Sequence, residues 1–220
     1  MIWNLPNILT VGRLLAAPGV VLMFLYFSRP YADWFALLLF VGAAITDYFD
    51  GYLARLWKQQ TKFGTMLDPI ADKAMVVIAL LVITGYAGMN PWILLPATVI
   101  IFREVFVSGL REFLGDTAGS LAVTQLAKWK TTAQMIAIAV LFGTGIFGHM
   151  LLDRMTGMDE EVVAEIFAGG QDPLGLRMID LAAQVTWWVG IILLWIAAVL
   201  TLVTGIDYFR KALPYLKEDA

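Results

Sequence analysis

Four aspartates are the residues of this chain best placed to do chemistry. Asp47 and Asp50 are spaced i, i+3, and Asp68 and Asp72 are spaced i, i+4. On helices, either spacing puts two carboxylates on one face. Both pairs border long apolar runs. An ionisable group inside a bilayer costs a few kcal/mol or more, so it faces a cavity or a partner. Four gathered carboxylates without cations would repel one another strongly in a low dielectric. All-oxygen ligands favour Mg²⁺, Mn²⁺ or Ca²⁺ over zinc. Mg²⁺ takes one or two carboxylates and completes its shell with substrate phosphate and water. Two such ions are the usual apparatus of phosphoryl chemistry.

The residues between the pairs fit that chemistry. Gly51 lies one turn beyond Asp47, mid-helix, where glycine costs about 1 kcal/mol against alanine. Together with Ala54 it clears bulk beside the carboxylates, so that a base or a pyrophosphate can approach the backbone. Gly64 can do the same on the facing segment, and Arg55 suits phosphate or nucleotide recognition. Each residue also has a plainer reading. Asp68-Pro69 can be an N-cap followed by proline at the first helical position. Asp47 can pair with Arg55 or Lys73, and Gly51 and Ala54 can be small-residue helix packing. The cost of four charges on two adjacent helices favours function over these.

Composition dictates what positions the aspartates. Of 220 residues, 60% are hydrophobic and only 15% charged, with mean hydropathy +0.77. A soluble chain is about half apolar and roughly a quarter charged, so lipid must cover what no core of this size can. The expected fold is all-α, a single six-helix transmembrane bundle with spans at about 8–28, 34–56, 65–85, 91–112, 126–147 and 180–208. A span needs about 20 residues. The uncharged runs 34–46 and 74–102 satisfy that only if the second helix continues through Asp47 and Asp50 and the third begins near Gly64. Gly85 to Pro91 supplies the turn that divides the long run. Residues 1–7 are expected as a short interfacial stub. The first run is not a cleavable signal, because no A-x-A site follows it and residues 1–12 hold no charge.

Lysine and arginine set the orientation. Twelve of the fifteen (Arg13, Arg55, Lys58, Lys62, Lys73, Arg103, Arg111, Lys128, Lys130, Arg210, Lys211 and Lys217) fall at one set of segment ends, against Arg29, Arg154 and Arg177 at the other. Both termini and all four aspartates are therefore expected on the cytoplasmic side. The outer loop, about 148–179, is acidic and should hold a short amphipathic helix near 159–168. Zero cysteines exclude disulfides and thiolate sites, and one histidine excludes a His-cluster zinc site. A net charge of −3 gives no footprint for nucleic acid.

Asp47-x2-Asp50-Gly51-x2-Ala54-Arg55-x8-Gly64-x3-Asp68-x3-Asp72 resembles, at every fixed position, the signature of the CDP-alcohol phosphotransferases. The resemblance extends to Asn4-Leu5-Pro6-Asn7-Ile8-Leu9-Thr10-Val11-Gly12-Arg13, to Arg103-Glu104 through Arg111-Glu112, and to Lys128-Trp129-Lys130 through Gln134. There it is closest to the bacterial branch that makes phosphatidylglycerophosphate, and it covers about residues 4–142. It implies a homodimer in the bacterial inner membrane that uses two divalent cations, Mg²⁺ or Mn²⁺. It implies displacement of CMP from CDP-diacylglycerol by an alcohol. Asp47, Asp50 and Asp68 would bind metal. Asp72 would touch a metal and act as general base. Gly51, Arg55, Thr61 and Gly64 would hold the CDP moiety, with Ala54 beside it. Asn7 and Thr10 either contact the nucleotide or only cap. The outer loop is not diagnostic of that family.

The acceptor is read from charge. Arg103, Arg111, Lys128 and Lys130 lie at the inner ends of the fourth and fifth helices and would suit an acceptor bearing a phosphate dianion. Glycerol 3-phosphate fits. The plainer reading pairs Arg103 with Glu104 or Glu112 and leaves the lysines to lipid headgroups. Rivals are the same chemistry on phosphatidylglycerol or inositol phosphate, and a cation transporter whose ion path is the aspartates. A transporter should spread polar groups across the bilayer depth, whereas here they cluster at one edge.

Overall fold

A computed structural model of the chain describes residues 4–57, 61–115 and 125–216, without the side chains of 48, 50–55, 125 and 127. Among the described residues it has seven helices: α1 (Leu5–Tyr26), α2 (Tyr31–Leu56), α3 (Lys62–Tyr86), α4 (Pro91–Leu114), α5 (Gln125–Met155), α6 (Glu160–Phe167) and α7 (Leu176–Leu216). The fold is all-α, and α6 lies where the outer amphipathic helix is expected. Four helices, α1, α4, α5 and α7, are long and apolar enough to cross a membrane. The chain is an integral membrane protein.

Helix ends depart from the expected spans for local reasons. α1 begins at Leu5, three residues before the expected start, because the Asn4 side chain accepts the Asn7 amide at 3.0 Å and Pro6 fits the first turn. Residues 5–7 therefore belong to the helix. α3 begins at Lys62. Its cap is Thr61, whose hydroxyl accepts the Gly64 amide at 3.0 Å while its carbonyl takes the Thr65 amide. Asp68 and Pro69 lie inside α3, so the N-cap reading of Asp68 is wrong. α4 opens on Asn90, which caps Trp92 at 2.9 Å, after a turn with positive φ at Gly88 and Met89.

The segment expected on the outer side is more helical than an apolar run can reveal. α5 continues to Met155 and α7 starts at Leu176, so the expected loop 148–179 shrinks to 156–175, with α6 inside it. Both helices run on past their apolar stretches, and a cap fixes one of the ends. Asp172 supplies it, accepting the amides of Leu176 and Arg177 at 2.8 and 3.0 Å. Desolvation alone would raise the Asp172 carboxyl. The two amides and the Arg177 charge outweigh it and hold the group below the usual carboxylate range.

The chain forms two compact units, Met1–Val82 with Ile138–Gly190, and Ile83–Ala137 with Ile191–Ala220. In the first, α1 packs on α2. Ala32, Ala36, Phe40 and Ala43 recur at helical spacing along the buried face of α2. Phe142 of α5 lies 6.2 Å from Phe24 and 6.1 Å from Phe40 between ring centroids. Near the expected outer end, the buried Asp33 carboxylate pairs with Arg29 at 2.5 and 2.7 Å. A Cβ on Gly145 would overlap Asp33 Oδ1 and Arg29 Nη2 and sit 2.8 Å from Asp33 Cγ. Gly145→Ala is therefore expected to lower stability by about 1–3 kcal/mol, as overpacking does. Thermal unfolding in detergent checks this, and Gly148→Ala, with nothing within 4 Å, is the control. In the second unit, Ile93, Ala97 and Ile100 of α4 are buried, as are Leu194, Ala197 and Thr201 of α7. Trp195 donates to the Trp92 carbonyl at 3.0 Å, which ties α7 to the start of α4.

Candidate active site

Three helices of the first unit build the site. α1 presents Asn7, Thr10 and Arg13 at i, i+3 and i+6, all buried. α2 presents Asp47, and α3 presents Asp68 and Asp72. Arg13 Nη1 donates to Oδ1 of both Asp47 and Asp72, and Nη2 donates to Asp68 Oδ1 at 3.4 Å. The Thr10 hydroxyl is 2.8 Å from Asp68 Oδ1 and 3.1 Å from the Pro6 carbonyl. One guanidinium thus joins three of the four expected aspartates. The Arg13 side chain is 2% exposed, while those of Asp47, Asp68 and Asp72 are 48%, 48% and 53% exposed. The carboxylates are tethered from beneath and open above.

Beside them, Asn7 Nδ2 donates to the Thr61 hydroxyl at 2.9 Å, and that hydroxyl lies 3.0 Å from Asn7 Oδ1. A Cβ on Gly64 would stand 2.6 Å from Asn7 Oδ1 and 3.4 Å from Thr61 Oγ1. Gly64 is a glycine here because α1 comes so close. Asn7 does not cap α1, since Asn4 does. Asn7 and Thr10 instead hold Thr61 and Asp68. Asp50, Gly51, Ala54 and Arg55 lie on α2, with side chains outside the described residues. Asp47 pairs with Arg13, which sequence reasoning missed as a site residue, while the side chain of Arg55, one of its expected partners, lies outside the described residues. The available signal was the polar stripe Asn7-x2-Thr10-x2-Arg13 on an otherwise apolar helix.

The donors suit the implied ions. They are all carboxylate oxygen, the set that favours Mg²⁺ or Mn²⁺, and a cation already stands among three of them. Among the described residues, no group of three acidic or imidazole side chains is yet close enough to hold a metal by itself.

The second unit holds the four expected anion-binding cations, and it does not leave them as an open cluster. Glu104 Oε1 accepts from Lys130 Nζ and lies 3.4 Å from Arg103 Nη1. Lys130 is buried rather than headgroup-facing, and Lys128 is exposed. The Arg111 guanidinium sits 5.2 Å from the Tyr208 ring centroid. The Arg103 stem lines an apolar groove of about 300 Å³ between α4 and α7, with Phe102, Phe106 and Phe209. A Cβ on Gly205 would meet Arg103 Cγ at 2.9 Å. The pairing of Arg103 with Glu104 is the plainer of the two readings. Lys130 shares that carboxylate, an arrangement not anticipated.

A family model described as CDP-alcohol phosphatidyltransferase matches residues 3–203. A protein of Cereibacter sphaeroides named CDP-diacylglycerol–glycerol-3-phosphate 3-phosphatidyltransferase is 65% identical over an alignment of 221 positions that covers 100% of both chains. One of Rickettsia bellii with that name is 38% identical and covers 96% of this chain and 97% of its own. One of Escherichia coli, again so named, is 44% identical over 143 residues, 64% of this chain and 78% of its own.

Proposed function

The chain belongs to the CDP-alcohol phosphatidyltransferase family, and from that premise we propose that it moves a phosphatidyl group from CDP-diacylglycerol to glycerol 3-phosphate. The products are phosphatidylglycerophosphate and CMP. The observation that carries the reading is the convergence of Asp47, Asp68 and Asp72 on Arg13. The names of the relatives supply the donor and the acceptor.

The primary hydroxyl of glycerol 3-phosphate attacks the diacylglycerol-linked phosphorus. A new O–P bond forms, the bond to CMP breaks, and CMP leaves with its electron pair. Asp72 takes the hydroxyl proton on its carboxylate, which must lie within hydrogen-bond reach of the attacking oxygen. Asp47, Asp50, Asp68 and Asp72 would hold two divalent cations, Mg²⁺ or Mn²⁺, which when bound offset the charge that develops on the pyrophosphate. Gly51, Ala54, Arg55, Thr61 and Gly64 seat the CDP moiety. Asn7 and Thr10 serve that seat by positioning Thr61 and Asp68. Arg103, Arg111, Lys128 and Lys130 receive the acceptor's phosphate.

The assembly is a homodimer in the bacterial inner membrane. α2 and α3 cross with the other four long helices, and both termini and the aspartates face the cytoplasm. The lysine and arginine bias supports this. A membrane-edge site suits a donor whose acyl chains stay in lipid while cytidine and acceptor arrive from water. Purified protein given CDP-diacylglycerol, labelled glycerol 3-phosphate and Mg²⁺ is expected to place the label in phosphatidylglycerophosphate and release equimolar CMP. Inositol phosphate and phosphatidylglycerol should not compete. Transfer to either in preference to glycerol 3-phosphate would replace the acceptor, and cation flux in liposomes without CMP release would overturn the enzyme.

A further inference from the structure

Arg13 is assigned no part in the reaction above, yet its guanidinium reaches three of the reaction's aspartates. Its guanidinium is buried beneath half-exposed carboxylates, and each of its described bonds to them goes to an Oδ1 atom. Three helices are joined through this one group. The planar fork allows it, since a guanidinium offers five donors in fixed directions where an ammonium is a single point.

We propose that Arg13 is a resident counter-cation of the aspartate cluster, one that arriving divalent ions must displace. The inference rests on the metal reading above and goes beyond it. A divalent ion bound to Oδ1 of Asp47 or Asp72 would lie within a few ångströms of Nη1, and two cations that close repel unless one moves. The charge count agrees. Four aspartates cancel two divalent ions, which leaves Arg13 as one surplus positive charge beside an incoming pyrophosphate. Metal loading and Arg13 release are then one event. Without metal, the guanidinium keeps three like charges from forcing α2 and α3 apart. With metal, it becomes available to the donor's phosphates.

The test uses the full chain in detergent, without donor, and Mn²⁺ alone as probe, with free Mn²⁺ read by electron paramagnetic resonance. Arg13→Gln removes the competing charge and should bind Mn²⁺ about tenfold or more tightly than wild type. Its unfolding temperature should fall in EDTA and recover toward wild type in Mn²⁺. Arg13→Lys keeps the charge but loses the fork. It should bind Mn²⁺ with intermediate affinity, and it decides the matter if the glutamine variant does not fold. Mn²⁺ affinity unchanged or weakened in the folded variants would make Arg13 a scaffold for the ligands and overturn the proposal. Wild-type protein that binds no Mn²⁺ would overturn the metal reading together with it.

Discussion

Asp72→Asn is expected to lower kcat by about 10²–10⁴-fold, the range contributed by a positioned general base. Asparagine keeps the shape and an oxygen acceptor for Arg13, so the variant should fold. It loses a carboxylate ligand of the proposed metal pair and, with it, the capacity to take a proton from the acceptor hydroxyl. Two comparisons isolate that loss. Asp47→Asn removes a proposed metal ligand alone, so its defect should be partly recovered at high Mn²⁺, whereas the proton-transfer part of the Asp72→Asn defect should persist at saturating Mn²⁺. Asp33→Asn removes another carboxylate of the same unit, buried against Arg29 on the expected outer side. It should reduce thermal stability and leave kcat nearly unchanged in protein that remains folded. Turnover at saturating substrates across a Mn²⁺ series measures all three. Full Asp72→Asn activity with Mg²⁺ present would remove this residue from the role of base.

The aspartates were legible because lipid makes charge expensive. Asp47, Asp68 and Asp72 stand out from apolar sequence, and helical spacing alone sends each pair to one face. Arg13 was not legible for the opposite reason. An arginine at an expected cytoplasmic helix end already satisfies the positive-inside bias, so nothing in one sequence separates a topological charge from a partner of Asp47. Thr61 behaves alike: its cap on Gly64 and its bond to Asn7 follow from where α1 lies against α3, which no local pattern encodes. Gly145 reads as an ordinary membrane-helix glycine until Asp33 and Arg29 are seen against it. The ends of α5 and α7 ran past their apolar stretches because hydropathy marks where lipid ends, not where helix ends. α6 was legible because its acidic start and short apolar face occur within one local segment.

The Glu104 cluster separates catalysis from packing most directly. Glu104→Ala withdraws the carboxylate from a buried lysine and a nearly buried arginine at once. Removing one partner of a buried pair costs about 3–5 kcal/mol, which for a chain of this size corresponds to a fall in unfolding temperature on the order of 10 °C. Glu104→Gln keeps an oxygen for Lys130 while deleting the negative charge, so its stability loss should be smaller. The ligand response then discriminates. If Arg103 and Lys130 receive the acceptor's phosphate, Glu104 is an anion that competes with it, and glycerol 3-phosphate should raise the unfolding temperature of both variants by more than that of wild type. The KM of Glu104→Gln for glycerol 3-phosphate should fall as well. If the cluster only clamps α4 to α5, the variants lose stability and gain no extra protection from that ligand. Thermal scans with glycerol 3-phosphate, and with glycerol as the uncharged control, distinguish the two, because a phosphate site responds to the first and not to the second.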